Sequence, residues 1–241
     1  MLRVLLIVPA YNEEANILRV VNTIRAFKDA RTHDFELDYV VINDASTDNT
    51  LKICRTNNIH CIDLDRNLGI GGAVQTGYIY ANKVNYDIAV QFDGDGQHDI
   101  MHLTNLIAPI IHDEADLTIG SRFVSDLSGF KSTKLRRLGI LILSRIANIF
   151  GGLSVKDITS GYRAANKNII GIFAEEYPSD YPEPESLVFL SKKGYRLKEV
   201  GVGMFERTGG ESSIRALKSL YYMIKVSLAV IITALQTRER L

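Results

Sequence analysis

The sequence alternates short, unbroken apolar runs with stretches of helical periodicity, and each run stops at polar or turn-forming residues. Val4 to Val8 is the first run, closed by Pro9. An unbroken run of this length suits a strand buried on both faces, as in a parallel sheet. Tyr39 to Ile42, Cys61 to Leu64, Asp87 to Phe92 and Leu117 to Ile119 repeat the pattern, and Leu197 to Gly201 is a further candidate strand. Glu13 to Phe27 carries Ile17, Val20, Val21 and Ile24 at helical spacing. Other helices are expected near Leu51, from the Asn67–Gly72 turn through Ala81, and over 103–111, 135–150 and 185–193. Residues 157–163 read as a strand and turn, and 177–184, with Pro178, Pro182 and Pro184, as a surface loop. Strands alternating with helices predict an α/β fold with a mostly parallel, doubly wound sheet.

In such sheets ligands bind beyond the carboxyl ends of the strands. The residues that follow the apolar runs are Tyr11-Asn12-Glu13, Asn43-Asp44, Asp93-Gly94-Asp95 and Ser121-Arg122, so the fold brings four distant segments to one edge. In Asp93-Gly94-Asp95 the glycine lets two carboxylates point into one cleft and a bulky anion approach. Two such carboxylates suit Mg²⁺ or Mn²⁺ with positions left for phosphate oxygens, and Gln97 or His98 offers a further ligand. A solvated turn is the competing reading. Asp44 suits hydrogen bonds from a base or a ribose hydroxyl, against the alternative of a helix cap or turn. Glu13 reads equally well as a first-turn helix charge. The glycines at 69, 71 and 72 lack the spacing of a dinucleotide fold or a P-loop. Arg122, Arg136, Arg137, Arg163 and Arg207 are candidate anion binders, with Arg122 and Arg207 set in Gly/Ser-rich contexts that expose backbone N–H groups.

At 241 residues the chain reads as one domain, or one domain with a small appendage. The balance of 28 basic against 28 acidic residues excludes bulk charge as a reason to bind nucleic acid. Cys54 and Cys61 cannot make a structural zinc site alone and read as thiols in a reducing cytosol. The N-terminus runs directly into a strand and carries no secretory signal pattern. From Ala216 to Gln236 the chain is apolar but interrupted by Lys218, Ser219, Lys225, Ser227 and Thr233, which falls short of the roughly 20 apolar residues of a spanning helix. An amphipathic helix at a membrane surface, or one packed on the domain or a partner, is expected there.

Taken in order, these segments resemble the family 2 glycosyltransferases of the GT-A fold, in particular the polyprenyl- and dolichyl-phosphate sugar synthase-like branch. The resemblance runs from about Val4 to Ser213, through Val8-Pro9-Ala10-Tyr11-Asn12-Glu13-Glu14, Asn43–Asp48, Asp93–His98, Gly120-Ser121-Arg122, Ser160–Arg163 and Arg207–Ser213. It implies a GT-A domain over 1–213 and a C-terminal amphipathic helix over 214–241. It implies that Pro9, Ala10, Tyr11, Glu13 and Asp44 hold the nucleoside, and that Asp93 lies beside ribose, metal and diphosphate. Asp95 and Gln97 would ligate the cation, Arg207 would close over the donor diphosphate, and Arg122 with Arg136 and Arg137 would receive an acceptor phosphate. Asp157, then Glu185, would lie near the transferred sugar or act as base for a hydroxyl acceptor.

The implied activity is an inverting, metal-dependent transfer from a nucleotide-diphosphate sugar, UDP favoured, to a polyprenyl phosphate. The implied location is cytoplasmic, peripheral at the inner face of the cell membrane, by lipid contact or a membrane-protein partner. Extension of a lipid-linked saccharide or cell-wall polysaccharide is the alternative within enzymes, and a non-catalytic nucleotide-sugar-binding subunit the alternative outside them.

Overall fold

A computed structural model describes residues 1–30, 34–124, 134–205 and 216–237, without the side chains of 134–136 and 216–222. Strands β1 (Leu2–Ala10), β2 (Phe35–Asn43), β3 (Cys61–Asp63), β4 (Ile88–Gln91), β5 (Leu117–Ser121), β6 (Arg163–Asn166) and β7 (Leu197–Gly201) form one sheet in the order β3-β2-β1-β4-β6-β5-β7. Only β6 runs against its neighbours β4 and β5; the other pairings are parallel. The mostly parallel expectation holds, with one antiparallel strand inserted.

Helices α1 (Ile17–Asp29), α2 (Thr50–Thr56), α3 (Gly69–Val84), α4 (Leu103–Ile111), α5 (Lys134–Gly151), α6 (Lys167–Glu175), α7 (Pro182–Lys192) and α8 (Ala216–Gln236) cover the sheet. Alternate residues of β1 explain its unbroken apolar run. Val4, Leu6 and Val8 pack under α1 and α4, while Leu5 and Ile7 pack under α3 and the later helices. All five are fully buried, because a strand between two helical layers has no solvent face. Helix α3 lies so close to β1 that a Cβ at Gly77 would collide with Ile7.

Three local readings change. Helix α1 begins at Ile17 and not at Glu13, because Asn12 turns the chain with φ +55° and the Glu13 carbonyl accepts from the N–H groups of Asn16 and Ile17. The strand expected within 157–163 is displaced to Arg163–Asn166 and leads into α6, a helix that went unread; Asn166 caps it by accepting from Ile169 N–H at 3.0 Å. The expected surface loop 177–184 is largely buried at Tyr177, Pro182 and Pro184, and α7 starts at Pro182, where a missing N–H costs nothing.

Helix α8 is part of the domain's core. Val226, Val230 and Ala234 bury into the same cluster as Leu143 and Ala147 of α5 and Leu187 and Val188 of α7. Among the described residues no helix is long and apolar enough to cross a membrane.

Candidate active site

After β1 the chain moves outward through β2 to β3, then returns to place β4 on the other side of β1. That reversal is the topological switch point, where a crevice opens at the carboxyl edge. Among the described residues, three of the four buried side-chain polar atoms without a protein partner gather at the same edge: Asn43 Oδ1 ends β2, Gln91 Oε1 ends β4, and Ser160 Oγ precedes β6. Orphaned polar groups in a well-packed region call for a ligand or ordered water.

The Asp93–Asp95 turn occupies this switch point. Gly94 N–H donates to the Pro9 carbonyl at 3.2 Å, and a Cβ at Gly94 would stand 2.8 Å from that oxygen, so the turn lies directly on β1. Asp93 Oδ1 accepts from the Gln91 amide at 3.0 Å. Its backbone N–H donates to His98 Nδ1 at 3.0 Å, and His98 Nε2 lies 3.5 Å from Asp93 Oδ2. The His98 ring is buried and stacked on Tyr162 at 4.7 Å, so it buttresses Asp93 from below. Asp95 Oδ1 accepts from Gln97 N–H at 3.0 Å, and the Gln97 carbonyl accepts from Phe205 N–H at 2.8 Å.

Across the crevice Asp44 is 3% exposed. Its Oδ1 accepts from Leu68 N–H at 2.7 Å and its own N–H donates to the Ala10 carbonyl, which ties the ends of β1 and β2 to the start of α3. Glu13 is buried, accepts from the Asn16 amide at 2.8 Å and donates its N–H to Thr50. Tyr11 is half exposed beside them, after Pro9 and Ala10 at the end of β1.

Arg122 and Asp157 meet each other. Asp157 is fully buried and takes Nε and Nη2 of Arg122 at 2.7 Å each; Nη2 also donates to Thr159. Glu199 accepts from the N–H groups of Lys156 and Asp157 and closes the loop from behind. Arg163 is likewise buried, donating to the carbonyls of Ile158, Ser160 and Glu183 and to Ser186 Oγ; burial pulls its pKa below the usual guanidinium value. It pins the 158–160 loop to the start of α7.

Helix α7 presents two carboxylates on different sides. Glu183 lies near Gln91 and Asp93, and burial raises its pKa while Arg163 opposes the rise. Glu185 meets Thr233 of α8 at 3.4 Å and lines a separate cavity of about 710 Å³ between α7, α8 and residues 176–181, where burial again raises its pKa. The Gln91 amide donates to Asp93, and Glu183 and not Glu185 is the helix α7 carboxyl near that pair. Gln91 and Glu183 were missed in the sequence, and Gly161 was read only as part of the Ser160–Arg163 segment. A lone glutamine inside Ile88-Ala89-Val90-Gln91-Phe92 was the available signal. Nothing in the Ser160–Arg163 segment pointed to Asp93, yet a Cβ at Gly161 would stand 2.9 Å from Asp93 Oδ2.

The guanidinium of Arg137 lies 5.6 Å from the centre of the Phe123 ring, which Arg122 also approaches at 5.7 Å. Arg136 is in α5, and its side chain lies outside the described residues, as does all of Arg207. Among the described residues no three His, Cys, Asp or Glu side chains converge as a metal cage. The donor set at Asp93 and Asp95 fits a different kind of site. Two carboxylates on one glycine turn suit a hard cation that completes its shell with diphosphate oxygens.

A mostly parallel sheet with an acidic turn at its switch point suits a nucleotide-dependent transferase, and comparison with known proteins gives the class: the chain is a glycosyltransferase. It belongs to the family described as "Glycosyl transferase family 2", whose profile matches residues 5–171. It is 33% identical over 217 residues to the UDP-N-acetylglucosamine–dolichyl-phosphate N-acetylglucosaminyltransferase of Methanococcus voltae, covering 82% of this chain and 83% of that one. It is 30% identical over 221 residues to the undecaprenyl-phosphate mannosyltransferase of Micrococcus luteus, with 88% of each chain covered. The glucosyl-3-phosphoglycerate synthase of Mycobacterium tuberculosis, solved with Mn²⁺ and UDP-glucose, superposes with a TM-score of 0.67 at 19% identity, over 97% of this chain and 78% of that one. That likeness establishes the GT-A fold.

Proposed function

We propose that this glycosyltransferase moves a sugar from a nucleotide diphosphate, UDP favoured, to a polyprenyl phosphate at the cytoplasmic face of a membrane. The observation that carries the donor half is the Asp93–Asp95 turn lying on Pro9 at the switch point, with Asp44 across the crevice. The acceptor half is supported by the dolichyl- and undecaprenyl-phosphate transferases to which the chain is similar.

Pro9, Ala10, Tyr11, Glu13 and Asp44 border the nucleoside. Asp93, Asp95 and Gln97 would hold Mg²⁺ or Mn²⁺, which would supply positive charge to offset that of a departing diphosphate. Gln91 orients the Asp93 carboxylate, and Gly161 leaves room for it. Arg207 is assigned to the donor diphosphate, and Arg136 with Arg137 to the acceptor phosphate, as the family resemblance implies. A phosphate acceptor arrives already ionised and needs no base. This agrees with an Asp157 whose carboxylate is committed to Arg122, so we assign that pair to positioning the loop. Glu183, near the hydrogen-bonded Gln91–Asp93 pair, replaces Glu185 as the carboxylate beside the transferred sugar.

The test is a matrix of UDP- and GDP-sugars against undecaprenyl phosphate and saccharide acceptors, with and without Mn²⁺, read as nucleotide release and lipid product. Lipid-linked sugar from a UDP donor is expected. Product on saccharides alone would favour polymer extension, and donor binding without release would favour a scaffold subunit.

A further inference from the structure

We infer that α5 and α8 together form a docking face for an anionic lipid bilayer. This rests on the acceptor being a membrane lipid and names the surface that brings the enzyme to it. The two helices lie side by side: a Cβ at Gly139 of α5 would stand 3.1 Å from Met223 Sδ of α8. Each buries one face in the same core, through Leu143 and Ala147 of α5 and Val226 and Val230 of α8. Their opposite faces therefore share one side of the molecule.

That side is apolar. Leu138, Leu141 and Ile149 of α5 and Ile224, Leu228 and Ile232 of α8 are 49–69% exposed, with successive spacings of three, four or eight residues. A stripe of this kind on one helix is common; two adjoining stripes make a patch of the sort that marks an interaction surface. The charge pattern selects the occupant. Neither helix sequence contains Asp or Glu, while Lys134, Arg136, Arg137 and Arg145 lie on α5 and Lys218 and Lys225 on α8. Two helices whose only charged residues are cations, with the acidic Glu176, Asp180 and Glu185 confined to the cavity beside α8, match acyl chains beneath anionic headgroups, and Arg145 within the α5 stripe has the length to reach those headgroups. The face also leads to the site. Arg137, near the start of α5, stacks on Phe123, which follows Arg122 at the end of β5. A lipid phosphate held at headgroup level would thus meet the catalytic edge without leaving the bilayer.

The experiment is vesicle co-sedimentation of the full chain with phosphatidylcholine alone and with phosphatidylcholine mixed with phosphatidylglycerol. Three proteins are compared: the natural chain, Leu138→Glu/Ile149→Glu on α5, and Leu228→Glu/Ile232→Glu on α8. The natural chain is expected to sediment with the anionic vesicles and to be released by salt, because headgroup attraction is screened. Each double variant is expected to lose about tenfold or more in partitioning, since two apolar contacts become charges facing hydrocarbon. All three are expected to keep the same melting temperature and the same thermal shift with a UDP-sugar. Unchanged sedimentation of the α5 variant overturns the two-helix face. A natural chain that ignores vesicles but forms a dimer which both variants dissolve assigns the face to a second copy and overturns the proposal. Vesicle binding without any response to nucleotide-sugars would fault the proposed reaction and leave the docking face standing.

Discussion

Arg122 clasps Asp157 through two parallel hydrogen bonds of 2.7 Å, Nε to Oδ2 and Nη2 to Oδ1, and its backbone N–H adds a third at 3.1 Å. Both side chains are buried, so neither charge has water to fall back on. Removing one partner of such a pair strands the other, at about 3–5 kcal/mol. Asp157→Ala is therefore expected to lose stability of that size in urea denaturation, and Arg122→Met/Asp157→Leu to recover most of it. A single variant within about 0.5 kcal/mol of the natural chain would show that the pair carries no such charge burden.

Asp95 sits on the turn and contributes little to the core. Asp95→Ala is expected to leave the melting temperature nearly unchanged. Nucleotide release should fall by about a hundredfold or more, the scale at which lost charge stabilisation acts in active sites. Full turnover in the variant would remove the acidic turn from the mechanism.

Gly161 faces Asp93 and Gln91, and an added methyl would stand 2.9 Å and 2.8 Å from their side-chain atoms. One of them must move. Gly161→Ala is expected to reduce kcat/KM about tenfold or more, since small displacements of a positioning group are costly. Circular dichroism should stay unaltered; activity within twofold of the natural enzyme would mean that Asp93 tolerates displacement.

Glu183 titrates above the ordinary carboxyl value of 4.5, because burial disfavours its charge. A carboxyl with a raised folded pKa keeps its full contribution to stability below 4.5 and loses it as pH climbs through the folded value. Glu183→Gln is expected to melt higher than the natural chain at neutral pH and to converge with it below 4.5. Parallel melting curves across that range would contradict the burial effect.

Truncation before Ala216 removes Val226, Val230 and Ala234 from the core. Burial of each valine contributes about 1.5 kcal/mol or more, so the shortened chain is expected to lose several kcal/mol and to expose α5 and α7. Dye binding and a lowered urea midpoint would register this. A fully stable truncation would make 216–241 a detachable appendage.

Much of the fold was legible because strands buried on both faces announce themselves as unbroken apolar runs. β1, β2, β4 and β5 were readable for that reason, and Asp44, Asp93 and Arg122 could be assigned to the carboxyl edge from their places after those runs. β6 was displaced because Arg163-Ala164-Ala165-Asn166 is short and carries a buried arginine in place of a branched apolar run. α6 was obscured by Gly171 at its centre, although Asn166 carried a capping signal.

Local chemistry, then, determined which segments become strands and which polar residues follow them, because burial on both faces and turn formation depend on neighbours in the chain. Only the tertiary structure decided that Asp157 belongs to Arg122, that Glu183 and not Glu185 lies near Gln91, and that α8 shares a core with α5. Those contacts join residues 35, 92 and about 83 positions apart, and they follow from strand order and helix rotation, which no local periodicity encodes.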